Sequence, residues 1–471
     1  MRCKITILLI VIAALTIPAC TFERVSPSPA ASVSIPPSTP APGNTPLSPA
    51  TNIEPGEENA ITPVVTEEIP IITENRILTP WEQRTPAPGS LLLWYALPSQ
   101  SPVDLAFNRL VDDFNAQNTN GLTVYAFNLS APDAVLSRTL PLLDTPDVPA
   151  LVAITPEQLD TYGESLLPLD SLLDSETWGI PQKQRIWTDL LLLRHPIPDL
   201  QNSPYPAFTL GGTAVGLAYN SDWMARLGFY NAPQSPGEFA ALVCKAVQRP
   251  YRPDGKASGY AFVPSLESLR AWTQIFGGSL YNADIDAYDF NQEAVLQAVT
   301  FLKGLYKQGC MTLAADQAEA QQAFQEGEAL LIFQPVDLLA PEHRWHREIA
   351  FNWQVDTLPG GTLLALPPLT FAIPRATPER ELSAWLFLKY ASSAEAQNIF
   401  SNQSAWFPLQ TAAVAQSNLP ARYGRLYKAF LLSPPYEAAA LSPAFENDLS
   451  RTLQRVLQGN APASALQRLS P

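Results

Sequence analysis

The chain is poor in histidine, cysteine and positive charge, and each shortage excludes a class of function. It has three histidines, His195, His343 and His346, in 471 residues. His343 and His346 stand three apart, but nothing beside them completes a zinc set of the usual spacing, so no metal is expected. Lys and Arg total 29 against 44 Asp and Glu, a net charge of −15, and this balance excludes the basic face that nucleic acid demands. No Gly-x-Ser-x-Gly, His-Glu-x-x-His or phosphate-binding loop occurs. Carboxylates abound, but no pair stands in an acid/base context, so an anchored glycosidase is the weakest of the rival readings and no enzyme is expected. Beyond the first twenty residues no apolar stretch approaches the roughly twenty needed to span a bilayer. "TDLLLLRHPI" (188–197) is half that length and reads as core.

What the sequence does have begins at its start. Arg2 and Lys4 precede an apolar run from Ile5 to Ile17, which ends in Pro18-Ala19-Cys20. A basic start, a short apolar stretch and small residues make an export signal, expected over 1–19. A cysteine at its end resembles the lipobox of bacterial lipoproteins, in which the thiol is acylated; Cys20 is the expected lipidation site. From there to about residue 88 the chain is rich in Pro, Ser, Thr and Ala and shows no apolar period. Such a segment cannot bury enough surface to offset its ordering entropy, so 20–88 reads as a disordered, semi-rigid tether. Three cysteines then remain. With Cys20 acylated, Cys244 and Cys310 are either a disulfide, which an oxidising compartment permits, or two buried thiols.

The remainder, 89–471, is too long for one core and suits two. "SLLLWYAL" (90–97), "GLTVYAFNL" (121–129) and "VPALVAI" (148–154) read as strands. Between the first two, Ser101-Pro102 starts a helix with Leu105, Leu110, Val111 and Phe114 on one stripe. "APDAVLSRTLPLL" supplies a second helix, giving the β-α-β-α-β order of a mostly parallel sheet covered on both faces. Gly211-Gly212 and Gly360-Gly361 mark flexible backbone about 150 residues apart, and spacing alone makes both of them surface turns.

At "GLAYNSDWMARLGFYNAPQSPGEFAALVCKA" the chain resembles family 1 extracellular solute-binding proteins, the sugar-type receptors of ABC importers. Tyr219-Asn220, Asp222, Leu227-Gly228-Phe229 and Pro233 match that family's pattern, while Ser235-Pro236-Gly237 replaces its usual Thr-Trp pair. "AWTQIFGGSLYN" (271–282), "FNQEAVLQAVTFLKGLYKQGC" (290–310), "AFQEGEALLIF" (323–333), "WQVDTLPGGT" (353–362), "LTFAIPRATPERELSAWLFLKYASSAEAQNIF" (369–400) and "WFPLQTA" (406–412) follow in the family's order. The resemblance implies an α/β, two-lobed, periplasmic-binding-protein-like fold, hinged, with a ligand cleft between the lobes. It places lobe 1 at 89–210 plus 364–400, lobe 2 at 211–360 plus 402–471, and the hinge at Gly211, Gly212, Gly360 and Gly361.

The implied function is capture of a sugar or oligosaccharide by hinge closure and its delivery to ABC permease subunits, by a monomer held at the outer face of the membrane, without cofactor. Sugar rings stack on aromatic faces and their hydroxyls need polar partners. In lobe 1 the implied ligand residues are Tyr95, Ser99 and Gln100 after the first strand, and Glu157 and Gln158 after the third. In lobe 2 they are Glu267, Trp272, Gln334 and Asp337, with Trp406 at a crossing. The alternatives are the same fold binding a polyamine, phosphate ester or ferric iron, or acting as a sensor. The scarcity of His and the Ser, Gln and Glu at the lobe-1 edge favour a neutral polyhydroxylated solute.

Overall fold

Side-chain alternation in Gly89–Tyr95 (β1) buries Leu91, Leu93 and Tyr95 on one face and sets the direction of a parallel sheet. The computed structural model describes residues 79–185, 206–436 and 442–469, apart from positions 254, 283, 286 and 462. The expected signal peptide, Cys20, nearly all of the expected tether, and the 188–197 run with His195 lie outside the described residues. Among the described residues no helix is long and apolar enough to cross a membrane.

β1 pairs in parallel with Leu122–Asn128 (β2) and Leu151–Ile154 (β3). Between β1 and β2 lies the helix Pro102–Gln117, started by the Ser101 hydroxyl, which accepts the Asp104 N–H at 3.3 Å. Its buried stripe is Val103, Phe107, Leu110, Val111 and Phe114. Leu105, which the sequence reading put on that stripe, is 47% exposed; two residues past Val103 it falls about 200° round the helix.

The remaining strands are Phe208–Gly212 (β4), Ala214–Asn220 (β5), Ser258–Phe262 (β6), Tyr281–Asn282 (β7), Ala287–Tyr288 (β8), Met311–Leu313 (β9), Ala329–Pro335 (β10), Trp353–Asp356 (β11), Leu364–Ala365 (β12), Leu369–Ala372 (β13) and Phe407–Pro408 (β14). The first sheet has the order β14-β4-β13-β3-β1-β2, with β13 antiparallel to both of its neighbours. The second has the order β11-β5-β10-β6-β9, with β12 also against β5. In it β6 runs parallel to β9 and β10, while β5 runs antiparallel to β10. β7 and β8 form a separate ribbon. Each sheet has its own apolar core, with Phe107, Phe371 and Trp385 in the first and Phe239, Tyr260 and Trp272 in the second.

The chain passes between the sheets from β4 to β5 through Thr213 alone, and from β12 to β13 through Leu366–Pro368. The two crossings run side by side, since the Leu366 N–H donates to the Thr213 carbonyl at 3.0 Å. A third follows the helix Ala421–Leu432, whose Tyr423, Leu426, Tyr427 and Phe430 belong to the first core, whereas Phe445, Leu449 and Leu453 of the helix Pro443–Leu457 belong to the second. The first core also continues onto Ala214, Val336, Leu339, Val355 and Leu363, which makes an apolar seam at the crossings.

Three placements differ from the sequence reading. Residues 407–432, assigned to lobe 2, pack with the first sheet, because β14 pairs with β4 and the stripe of the 421–432 helix closes over it. Gly211 and Gly212 end β4 rather than form a loop. A Cβ at Gly211 would lie 3.0 Å from the Phe407 carbonyl and 3.3 Å from the Phe400 ring, so glycine there lets β14 approach. Gly360 and Gly361, with φ of +101° and +80°, form a turn of the second lobe ahead of β12, held by the Gly360 N–H to the Gln234 carbonyl at 2.9 Å. Cys244, in the helix Pro236–Gln248, and Cys310, before β9, are joined by a disulfide with their Cα atoms 4.5 Å apart.

Candidate functional site

Ligands of open α/β sheets sit beyond the carboxyl ends of the parallel strands, so the site is built there first. β1 ends in Tyr95, whose ring is 2% exposed, packs on Phe107 at 4.7 Å and donates its hydroxyl to Asp104 Oδ1 at 2.8 Å. Burial and that carboxylate push the phenol well above its usual range. Tyr95 is therefore a core residue and not a ligand contact. Asp104 also accepts the Gln100 N–H at 2.8 Å and the Asn128 amide at 3.0 Å, so this carboxylate fixes the loop that presents Ser99 and Gln100 to solvent. The sequence reading missed Asp104 as an organiser; its only signal is its place behind the Ser-Pro helix start.

After β3 a short turn, Pro156–Gln158, points its two polar residues apart. Gln158 is 7% exposed, accepts the Thr155 N–H at 3.3 Å and reaches Asp133 at 3.5 Å, so it caps the turn and does not face a cleft. Glu157 turns outward and accepts a short hydrogen bond from the Tyr436 hydroxyl. Tyr436 follows the 421–432 helix and is partly buried against the first core. Burial, then the Glu157 carboxylate, raises its phenol far above the ordinary value, so it stays a donor.

The Tyr436 ring is also contacted from the second lobe. The Arg270 guanidinium lies 5.0 Å from its centroid, within cation–π range. Arg270 belongs to the helix Leu266–Ile275, capped by the Ser265 hydroxyl on the Ser268 N–H at 3.2 Å. Glu267, Arg270 and Gln274 stand at helical spacings of three and four, which puts them on one face. Gln274 donates to the Thr362 hydroxyl and the Leu363 carbonyl, each at 3.0 Å, so that face lies along the crossing. Trp272 is on the opposite side. It is 0% exposed, stacks on Phe333 at 5.5 Å and donates its indole N–H to the Tyr260 hydroxyl at 3.3 Å. The structure makes it the centre of the second core, and it touches no cleft.

Gln334 is 4% exposed and bonded to Gln317, so it too is interior. Asp337 follows β10, the central strand of the second sheet, and is partly exposed; burial pushes its carboxyl up to about 6. Trp406 is 8% exposed and lines a shallow open depression with Ala96, Leu97, Ile154, Thr155 and Pro367. The His343–His346 pair is structural: His343 Nδ1 accepts the Trp345 N–H at 3.3 Å, and burial lowers its pKa to about 4.

The geometry thus brings together Glu157 from the first lobe, Tyr436 from the third crossing and Arg270 from the second lobe, with Glu267 one turn away on the Arg270 helix. Such a set can accept and donate hydrogen bonds around an aromatic face. Residues 109–425 match the family model of bacterial extracellular solute-binding proteins. No curated protein sequence matches the chain. Among solved structures, the cyclic α-maltosyl-1,6-maltose binding protein of Arthrobacter globiformis is similar at TM-score 0.63 and 15% identity, covering 81% of this chain and 96% of that one. UgpB of Mycobacterium tuberculosis, solved with glycerophosphocholine, is similar at TM-score 0.62 and 18% identity, covering 81% and 96%. A solute-binding protein of Agrobacterium radiobacter K84, solved with ribitol, is similar at TM-score 0.60 and 16% identity, covering 81% and 97%. At these identities the likeness shows the fold, which is the hinged two-lobed α/β fold with a cleft between its lobes.

Proposed function

The chain belongs to the family of bacterial extracellular solute-binding proteins, and from that premise we propose that it captures a sugar or polyol between its lobes and hands it to an ABC permease. The observation that carries this reading is the convergence of Glu157, Tyr436 and Arg270 across the two lobes. A carboxylate accepts from sugar hydroxyls, a guanidinium donates to them in a planar fork, and a phenol ring offers a flat apolar face with a polar tip. Ligand contacts to both lobes favour whichever arrangement satisfies them together, so binding energy itself drives closure about the crossings at Thr213 and Leu366–Pro368. Glu267 and the exposed Ser99 and Gln100 extend the polar rim. An acylated Cys20 and its proline-rich tether hold the receptor at the outer membrane face, within reach of the permease, and the protein acts as a monomer without cofactor.

A thermal-shift screen of the purified protein tests this reading, with mono- and oligosaccharides and polyols as ligands and with polyamines, amino acids and phosphate esters as controls. A solute at about a hundred times its dissociation constant adds about 2.7 kcal/mol to stability. Stabilisation by a neutral polyhydroxylated solute is the expected result. Stabilisation by charged controls alone refutes the proposed solute class.

A further inference from the structure

The depression beside Trp406 is chemically unlike the polar set at Glu157. Ala96, Leu97, Ile154 and Pro367 give it apolar walls. Its hydroxyls are those of Thr155 and Thr370, and the Thr370 hydroxyl lies 2.9 Å from that of Thr209, which occupies it. The indole N–H of Trp406 is buried and meets no acceptor among the described residues. Native proteins leave few buried donors in that state, and each asks for a reason. A sugar ring placed here would leave most of its hydroxyls without partners, at a steep cost, whereas an aromatic or aliphatic group would leave none. Glu157 of the polar set follows Thr155 of the depression by two residues, in the turn that ends β3.

Resting on the receptor reading above, we propose that the solute is a glycoside with an apolar aglycone. Its sugar occupies the polar set of Glu157, Tyr436 and Arg270. Its aglycone enters the depression against Trp406, with a ligand oxygen accepting the indole N–H as the wall adjusts. The cleft is therefore two-sided, and affinity depends on what the sugar carries as much as on the sugar.

Calorimetric titration of the purified protein with paired methyl and phenyl glycosides of glucose, galactose, mannose and xylose tests this. At least one phenyl glycoside should bind about tenfold or more tighter than its methyl partner, from the apolar surface it buries. Ala96→Leu, which fills the depression, should abolish that preference and leave the methyl glycoside within about twofold of its original affinity. Trp406→Phe, which keeps a ring and removes the N–H, should weaken the phenyl glycoside selectively. Equal affinities within every pair would overturn the aglycone site and leave the sugar-receptor reading standing, as would a phenyl preference that survives Ala96→Leu. Absence of binding by all eight glycosides and by the free sugars would refute both.

Discussion

Truncating Trp272 to alanine should weaken the second lobe's core and leave solute recognition intact. The indole is fully buried, stacked on Phe333 with ring centroids 5.5 Å apart, and meets Phe239 and Phe301 at 5.0 Å each. Removing an aromatic side chain from such a place costs about 3–5 kcal/mol through lost burial and the cavity left behind. The Tyr260 hydroxyl, on a residue only 1% exposed, also loses its indole partner, which adds about 1 kcal/mol. Against a total stability of about 5–15 kcal/mol the variant stays folded at low temperature but melts early. Urea denaturation followed by near-ultraviolet circular dichroism gives the loss, and calorimetry in the cold gives the affinity of the folded protein. A Trp272→Ala protein as stable as the original but unable to bind solute would refute the reasoning, because it would place the ring in the cleft.

Further outcomes follow from other features of the fold. Cys244→Ser, or reduction, opens a cross-link between residues 66 apart in sequence; the chain-entropy account puts its worth at up to about 4 kcal/mol, so the melting temperature should fall with added dithiothreitol, and an unchanged value would contradict this. Asp337 has its carboxyl pushed up to about 6 by burial, so the folded protein takes up a proton that the unfolded chain, with an ordinary carboxyl, takes up only at lower pH. The stability linked to this group is fully present below the unfolded value and is lost as pH rises through about 6. Asp337→Asn should therefore stabilise the protein at pH 7.5, by at most about 3 kcal/mol and less where solvent reaches the group, and gain little near pH 4. Equal melting differences at the two pH values would contradict it.

Much of the fold is legible in local pattern. Apolar runs locate β1, β2 and β3 to within a few residues, and Ser101-Pro102 locates the helix that follows, because strand burial and helix capping are local effects. Orientation within a helix is legible too. In "LESLRAWTQI" the spacing of Leu269 and Trp272 gives a core stripe, and that of Glu267, Arg270 and Gln274 a polar one, so the helical period puts Trp272 in the core and Arg270 on the polar face. The amphipathic stripe of 421–432 announces a buried helix but says nothing of which sheet it covers. The Glu157–Tyr436 contact, between residues 279 apart, depends on how the third crossing returns to the first sheet, and no short-range signal encodes that. The loss of Tyr95, Gln158 and Gln334 as ligand contacts has one cause: a polar residue at a strand end often satisfies the backbone or side chains around it instead of facing outward.

The most direct measurement of the central claim, that one solute is held jointly by Glu157 and Arg270, is a calorimetric titration of the original protein, Glu157→Gln and Arg270→Gln with the solute that most stabilises it. Glu157→Gln removes the charge and keeps the side chain's shape, Arg270→Gln removes the guanidinium, and each should weaken binding by about tenfold or more in a protein that remains folded. Two variants that bind as tightly as the original would contradict the account and put the solute elsewhere in the cleft.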